Sequence, residues 1–488
     1  MTYPVCICTI LQRTKLGAGT DVCWEEQGMT TQPPELVEFR YELVEDGIGH
    51  LIFDMPGRTM NVFSNRAILE AEAVADWLGS SGLKGLVVSS GKTTAFCAGA
   101  DLGELAQAYA MIIAAPEDQR WQIGRDHFSP IGRAFRKLET AGVPVAFAIN
   151  GLALGGGCEF ALSGHYRVLA DTPSTALGLP ESLVGLLPGG GGTQRMPRLV
   201  GVEAAMPVLL DAARLTVADA VAAGAAHRVV PAGQEIAACV EWIRSNPQPI
   251  QPWDRADYRI PSSDEVSAQL VELRRSRQEE TGGHYPAITS ILDCVEYGLP
   301  LPIDAAVSKE IDIFADLIKR PEPRDMISSL FLGKQIWQKQ RKTGTLPEAY
   351  DSIAAAIRQS WANVATRFEP ADVEAAVRWA RLSATILPGG PIQPISDEAL
   401  GEHPGIAPTG IWIDAPQGQD QIIAGALLGV AVIAALENGG DLDADSCRAA
   451  DFHSQSAAGF PAYLGGPFAL YDSIGSDGVR RLIAPLGN

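Results

Sequence analysis

A glycine-rich turn between an apolar strand and a short helix decides the fold of this chain. Residues 150–159 read Asn-Gly-Leu-Ala-Leu-Gly-Gly-Gly-Cys-Glu, and they follow the apolar run from Val143 to Ile149. Glycines let a backbone turn sharply and come close to a ligand. A helix that begins at these glycines presents its free N–H groups and the positive end of its dipole to whatever lies in front. Glu159 falls in the first turn of that predicted helix.

A second carboxylate lies a short distance along the chain. Glu181 follows Pro180, whose ring restricts the backbone, and precedes four consecutive glycines at 189–192. Two carboxylates in one partly dry cleft can hold different protonation states and share acid and base roles. Each glutamate alone also fits an ordinary structural role, Glu159 serving the helix dipole and Glu181 standing in a surface turn. Spacing does not decide whether they meet, because that depends on the fold.

A third stretch of small residues follows another predicted strand. Residues 95–102 read Ala-Phe-Cys-Ala-Gly-Ala-Asp-Leu, directly after the strand predicted from Gly85 to Ser90. Small residues at a strand end permit close backbone approach, although a loop without function would look similar.

Composition limits the classes of function. The 488 residues allow about three domains, and 46% of them are hydrophobic, so the chain can bury sizeable cores. The formal net charge of −20 argues against nucleic acid as a partner, whereas a phosphorylated small molecule needs only a local basic patch. Eight cysteines without CxxC spacing indicate reduced thiols in a cytoplasmic protein and no metal site.

The N-terminus and the apolar segments bear on targeting. No signal peptide is recognisable, and the longest apolar run, Ile422 to Leu436, is too short for the roughly 20 residues of a membrane span. A buried helix is therefore predicted there. Residues 1–36 lack sustained periodicity and are expected to be a disordered extension. Alternatively, the native protein starts at Met29, and residues 1–28 are not part of it.

The rest of the chain divides by its patterning. Residues 37–245 alternate strands and helices, beginning with a hairpin around Asp46-Gly47, and this predicts an α/β catalytic domain. Residues 246–345 are expected to form a helical linker region, which begins with a proline-rich stretch. Residues 346–488 are expected to be a mainly α-helical C-terminal region.

Residues 37–245 resemble the crotonase superfamily of enoyl-CoA hydratases and isomerases. The resemblance rests on ordered motifs that lie in sequence at residues 53–56 with Asn61, at 95–102, at 150–159, at 178–181 and at 189–195. It implies a spiral of ββα units that binds an acyl-CoA. It also implies that the thioester oxygen lies between the amides of Ala100 and Gly156.

The resemblance further implies the chemistry. Hydratases of this family need both glutamates, which map to Glu159 and Glu181, for syn addition of water to a 2-enoyl-CoA. Residues expected to contact CoA are Arg58, Ala98, Asp101 and Leu102. Two alternatives stay open: a Δ3-Δ2-enoyl-CoA isomerase, because one glutamate can move a proton between carbons, and a non-catalytic acyl-CoA-binding subunit.

The tail resembles parts of the multifunctional fatty-acid oxidation proteins, which fuse a hydratase to a 3-hydroxyacyl-CoA dehydrogenase. Residues 252–254 and 284–287 resemble their connecting region, and residues 457–468 resemble the last helical repeat of the dehydrogenase. No GxGxxG occurs in the chain, so we expect a helical remnant without an NAD-binding domain, and no cofactor besides the CoA of the substrate. A homo-oligomer or a subunit of an oxidation complex is expected.

Overall fold

The computed structural model describes residues 33–93, 95–382, 398–403, 405, 411–440 and 442–487. The predictions for residues 1–28, and for most of the extension 1–36, lie outside the described residues.

Ten strands in the described part of the chain form two sheets. They are β1 (Phe39–Leu43), β2 (Ile48–Phe53), β3 (Gly85–Ser90), β4 (Ala95–Cys97), β5 (Val145–Ile149), β6 (Leu152–Leu154), β7 (Tyr166–Ala170), β8 (Ala176–Gly178), β9 (Arg214–Thr216) and β10 (Arg228–Val230). The larger sheet has the order β1-β2-β3-β5-β7-β10, and the smaller has the order β4-β6-β8-β9.

The described residues also form α-helices. They are α1 (Asn65–Leu78), α2 (Leu102–Ala114), α3 (Glu117–Glu139), α4 (Gly156–Leu162), α5 (Gly192–Val200), α6 (Val202–Leu210), α7 (Val217–Ala222), α8 (Glu235–Arg244), α9 (Ser263–Thr281), α10 (Pro286–Gly298), α11 (Ile303–Ile318), α12 (Pro321–Met326), α13 (Lys334–Thr343), α14 (Ala349–Ala365), α15 (Pro370–Ala380), α16 (Gly418–Gly439), α17 (Ala444–Ala457) and α18 (Pro467–Ile483). A π-helical stretch, Ile327–Gly333, joins α12 to α13.

The two sheets grow together as a spiral. Each strand in the run β3, β5, β7 of the larger sheet is followed along the chain by a strand in the run β4, β6, β8 of the smaller sheet. These neighbours pair in parallel within each sheet. The strands β2, β3 and β5 are almost entirely buried, which explains why their sequences are mostly apolar. The predicted ββα spiral followed by a mainly helical region is confirmed.

Local sequence explains where the first elements begin. The predicted hairpin forms at Asp46 and Gly47, which have φ angles of 66° and 78°. Helix α1 begins after Ser64, whose hydroxyl accepts a hydrogen bond from the amide of Ala67. Helix α2 begins after Asp101, whose carboxylate accepts from two amides of the first turn. These caps fix the backbone at the starts of α1 and α2.

The core of the spiral does not stop at residue 245. Apolar side chains of α9, α10 and α11, among them Leu270, Ile291 and Phe314, join the same buried cluster as the strands. A second cluster is built from α14 to α18 and contains Trp361 and Tyr463. Helices α9 to α11, which the sequence placed in a linker region, therefore pack against the spiral itself.

Helix α16 is the one helix in the described ranges that is long and apolar enough to cross a membrane. Of its most apolar stretch, 78% is buried inside the protein. It is enclosed by α14, α15 and α18, and the indole N–H of Trp361 donates to the carbonyl of Leu427 at 2.7 Å. This burial is that of a core helix, as the sequence predicted. Helix α17 packs on α13 and on the π-helical stretch, which joins the C-terminal region to residues 260–345.

Candidate active site

Helix α4 begins where the sequence predicts it, at Gly156, and carries Glu159 in its first turn. Gly155 precedes it with a φ of 52°, in the left-handed region. A Cβ atom on Gly155 would lie 2.7 Å from Oε1 of Glu181 and 3.5 Å from Cα of Gly99. Only glycine fits this turn, because three chain segments meet there.

Glu159 is a buried carboxylate held by two backbone amides. The residue is 2% exposed, and its Oε1 accepts hydrogen bonds from the amides of Gly190 and Gly192, both at 2.7 Å. Its other oxygen, Oε2, lies 4.0 Å from where a Cβ atom of Gly156 would stand. The glycine run 189–192 thus orients one oxygen and leaves the second without a hydrogen bond from these amides.

Glu181 lies on a 3-10 turn, Pro180–Val184, that ends at Gly185 with a φ of 75°. The residue as a whole is partly exposed, but Oε2 of its carboxyl group is buried and has no hydrogen-bond partner in the described part of the protein. A buried polar atom without a partner costs about 1–3 kcal/mol, so an oxygen of this kind on a carboxyl group calls for an explanation, and a functional role is one. The fold has brought Glu181 against Gly155, one residue from the start of α4.

Burial raises the pKa of both carboxyl groups. For Glu181 the pKa lies well above its usual range, because burial is reinforced by the charge of Glu159. For Glu159 burial is opposed by the amides of Gly192 and Gly190 and by the guanidinium of Arg195. The donors around Glu159 favour its ionised form, whereas among the described residues only the residue's own amide opposes the rise at Glu181. The surroundings therefore favour the ionised form at Glu159 and the protonated form at Glu181.

Two backbone amides beside the carboxylates are free to bind an oxygen. No residue that the structure describes accepts a hydrogen bond from the amide of Ala100 or from that of Gly156. The neighbours of Ala100 pair with Phe63: the Phe63 amide donates to Gly99, and the Asp101 amide donates to Phe63. This pairing leaves the Ala100 amide pointing to the opposite side.

The loops that carry these two amides touch. A Cβ atom on Gly99, which has a φ of 105°, would lie 3.2 Å from the carbonyl oxygen of Leu154 and 3.7 Å from Cα of Gly155. The two predicted oxyanion donors therefore belong to backbone segments in direct contact. A donor pair of this kind is the arrangement that stabilises a developing oxyanion.

The residues predicted to bind CoA lie around the N-terminus of α2. Arg58 is exposed, and its Nη2 atom lies 2.7 Å from Oδ2 of Asp101. The Asp101 carboxylate also caps α2 through the amides of Gly103 and Glu104. Ala98 and Leu102 flank this cap and are partly exposed. Asp101 thus has a structural role, and the contacts of these residues with CoA stay a prediction.

Sequence reasoning missed two buried charged residues next to Glu159. Arg195 is fully buried, donates from Nη1 to the carbonyl of Gly190 at 2.6 Å, and forms an ion pair with Glu139 at 2.6 Å. Glu310, on α11, is also fully buried and binds the same glycine loop. The available signal was Glu310 itself, a carboxylate on the apolar face of a helix.

A family model described as "Enoyl-CoA hydratase/isomerase" matches residues 44–252, which contain Glu159, Glu181 and both free amides.

Residues 44–252 belong to the enoyl-CoA hydratase/isomerase family.

This hydratase/isomerase segment also occurs in longer relatives. The fatty acid oxidation complex subunit alpha of Shewanella frigidimarina is 34% identical over 313 residues, which cover 63% of this chain and 43% of the relative. The protein of the same name from Idiomarina loihiensis is 31% identical, over 64% of this chain and 44% of its own. The chain thus spans less than half the length of these curated relatives. The matched length also exceeds residues 1–252, so it includes part of the helical region.

Solved structures of the same family resemble the chain in part. The enoyl-CoA hydratase from Bacillus halodurans is 16% identical with a TM-score of 0.43, covering 59% of this chain and 98% of that one. The enoyl-CoA hydratase from Bacillus anthracis is 22% identical with a TM-score of 0.38, covering 57% and 89%.

Proposed function

We propose that the chain is an enoyl-CoA hydratase, which adds water in syn fashion across the double bond of a 2-enoyl-CoA thioester. The observation that carries this proposal is the pair Glu159 and Glu181. One carboxylate accepts two amide hydrogen bonds, whereas the other has a buried oxygen without a partner. Paired carboxyl groups whose surroundings favour different protonation states suit one base and one acid.

The free amides of Ala100 and Gly156 would bind the thioester oxygen of the substrate. Their hydrogen bonds withdraw electrons from the conjugated system, so the β-carbon becomes electrophilic and the α-carbon can take a proton. Removing one donor of such a pair typically costs about 3–4 kcal/mol in the barrier. We also propose that Arg58, Ala98, Asp101 and Leu102 lie along the CoA part.

The two carboxyl groups would then take separate roles in the addition of water, one as the base and one as the acid. Ionised Glu159 takes one proton from a water molecule while the oxygen of that water bonds to the β-carbon. The π electrons of the double bond move to the α-carbon. Protonated Glu181 supplies the proton that the α-carbon receives. Both groups lie against adjacent residues of one turn, so hydroxyl and proton arrive from the same side. Transfer of the proton from Glu159 back to Glu181 after product release restores the starting state.

The names of the relatives support a proposal on the substrate and the assembly. Because the matched relatives are named fatty acid oxidation complex subunits, we propose that the substrate is a fatty acyl-CoA intermediate. We propose further that the chain acts as a homo-oligomer or within an oxidation complex, and without NAD.

Turnover of a panel of 2-enoyl-CoA esters tests this function directly. Hydration removes the conjugated thioester absorbance, and we expect saturable loss of this absorbance with at least one chain length. The control is the Glu159→Gln/Glu181→Gln variant, which should bind the same ester without turnover. Conversion of a 3-enoyl-CoA without any hydration would favour the isomerase instead. Binding of CoA esters without any turnover would favour a non-catalytic subunit.

A further inference from the structure

Helix α11, outside the hydratase/isomerase segment, places a third carboxylate beside the site. Glu310 is 0% exposed. Its Oε1 accepts from the amide of Gly191 at 2.6 Å, and its Oε2 accepts from the amide of Thr193 at 3.0 Å and from the Thr193 hydroxyl. Three donors from one short loop therefore converge on this side chain.

The same loop supplies the donors of Glu159. Along residues 190–193 the four consecutive amides alternate, the first and third binding Glu159 and the second and fourth binding Glu310. Three of these residues are glycines, whose backbone conformation no side chain restricts. Rotating any one of the peptide units would disturb the donors on both sides. The contacts to Glu310 thus help to fix the two amides that reach Glu159, together with the hydrogen bond from Arg195 to the carbonyl of Gly190.

We propose that Glu310 is a positioning residue for the reaction: it holds residues 190–193 so that two of their amides orient the carboxylate of Glu159. This inference rests on the proposed hydratase function. It assigns α11 a part in the site, although α11 lies beyond the segment that defines the family.

The packing of α11 keeps Glu310 in place. A Cβ atom on Gly189 would lie 3.3 Å from the ring of Phe314, so α11 is in close contact with the loop. A Cβ atom on Gly132 of α3 would lie 3.1 Å from Val307, so α11 also packs closely on α3. Two ion pairs join α11 to α3, Arg125 with Asp312 and Arg136 with Asp304, both at 2.7 Å. Glu310 therefore acts from a fixed helix and not from a mobile side chain.

The charges near Glu310 show why both carboxylates need these donors. Burial first, and the charge of Glu159 second, raise the pKa of Glu310 to about 8, while Thr193, Gly191 and Arg195 oppose the rise. The titratable and charged groups that interact with it are Glu159, Glu181, Arg195, Arg198 and Cys294. The amides between the two carboxyl groups oppose this rise in pKa and so reduce their mutual repulsion.

The variant Glu310→Gln tests the inference with little change of shape. Its amide nitrogen cannot accept a hydrogen bond, so one of the two loop amides loses its partner. Since small displacements of a catalytic group can cost up to about 100-fold, we expect kcat for hydration to fall about 10–100-fold. The KM for the same ester should stay within about threefold, because Glu310 does not touch the substrate.

Two further variants separate positioning from simple stabilisation. Asp451→Asn is the matched control, since Asp451 is also buried and accepts from two amides, Phe468 and Ala469, at the start of α18. It should lower the midpoint of thermal unfolding and leave kcat unchanged. If Glu310→Gln does not fold, Thr193→Val removes one donor to Glu310, and kcat should fall about fivefold, the effect of one hydrogen bond.

Combination with Glu159→Gln decides whether Glu310 acts through Glu159. The Glu159→Gln/Glu310→Gln variant should be no slower than Glu159→Gln alone, and additive losses would overturn the inference. Wild-type kcat in Glu310→Gln, or in Thr193→Val if only that variant folds, would also overturn it. Absence of hydration by the wild-type chain overturns the proposed function, and the inference falls with it.

Discussion

Glu159 and Glu310 bind alternate amides of a single glycine loop, although Glu159 lies in the hydratase/isomerase segment and Glu310 on α11 outside it. The loop is therefore shared between the spiral and the helices that follow it. Separating α11 from the spiral would take Glu310 away from the two loop amides that donate to it next to Glu159. It would also expose the apolar side chains that α11 buries against α3. The site is accordingly a property of both parts of the chain.

Replacing Glu159 should remove the base. Glu159→Gln keeps the size of the side chain, and its carbonyl oxygen can still accept from the amides of Gly190 and Gly192, but the neutral group takes no proton from water. We expect kcat for hydration to fall by about 100-fold or more, with enoyl-CoA binding largely retained. Steady-state kinetics and calorimetric binding of the ester measure the two effects. Near wild-type turnover would remove Glu159 from the mechanism.

Replacing Glu181 should remove the proton donor. Glu181→Gln leaves a neutral group of the same shape against Gly155, so the fold should persist while the α-carbon lacks its proton. A fall in kcat of about 100-fold or more is expected. Glu241→Gln is a suitable control, because Glu241 is an exposed partner of Arg228. If the two variants hydrate at similar rates, Glu181 is not the acid.

The pH dependence of kcat/KM should be bell-shaped. Glu159 must be ionised, so activity falls as the pH drops through its pKa, which burial raises. Glu181 must be protonated, so activity falls as the pH rises through its own pKa, which burial and the charge of Glu159 raise further. The two apparent pKa values of this profile describe the coupled pair and not either glutamate alone. A rate that is flat over this pH range would contradict the assignment of base and acid.

The buried ion pair of Arg195 with Glu139 should matter for stability. Both side chains are 0% exposed, and Nε and Nη2 of Arg195 lie 2.6 and 3.1 Å from the two carboxylate oxygens. Glu139→Gln leaves a buried guanidinium without its counter-charge, which costs about 3–5 kcal/mol. A large fall in the midpoint of thermal unfolding is expected. Glu272→Gln, which breaks an exposed pair with Arg275, should leave that midpoint unchanged, and equal shifts would contradict the prediction.

We also predict that the chain neither binds NAD nor oxidises a 3-hydroxyacyl-CoA. A dinucleotide fold needs a glycine-rich turn through which the backbone approaches the pyrophosphate. The clusters 155–157 and 189–192 serve the two glutamates instead. Titration with NADH, followed by fluorescence, should show no saturable binding. Binding at micromolar cofactor, or NAD-dependent oxidation, would disprove this.

The periodic elements and the glycine turn could be predicted from the sequence. Alternation of apolar residues predicts strands such as β3 and β5, and the glycines at 155–157 predict the start of α4, because local backbone preferences act over a few residues. The ordered motifs also identified Glu159, Glu181, Ala100 and Gly156 as candidates. Each of these inferences depends on short-range chemistry or on a resemblance between motifs.

Only the tertiary structure decided which of these groups meet. The contact of Glu181 with Gly155 depends on how successive turns of the spiral stack, and spacing along the chain does not specify that. Glu310 could not be assigned to the site for the same reason, since α11 reaches the loop at 190–193 by packing on α3. Nor could the sequence show that Asp101 caps α2 while pairing with Arg58. Long-range packing and burial set these contacts, because they depend on the shape of the whole core and not on any one segment.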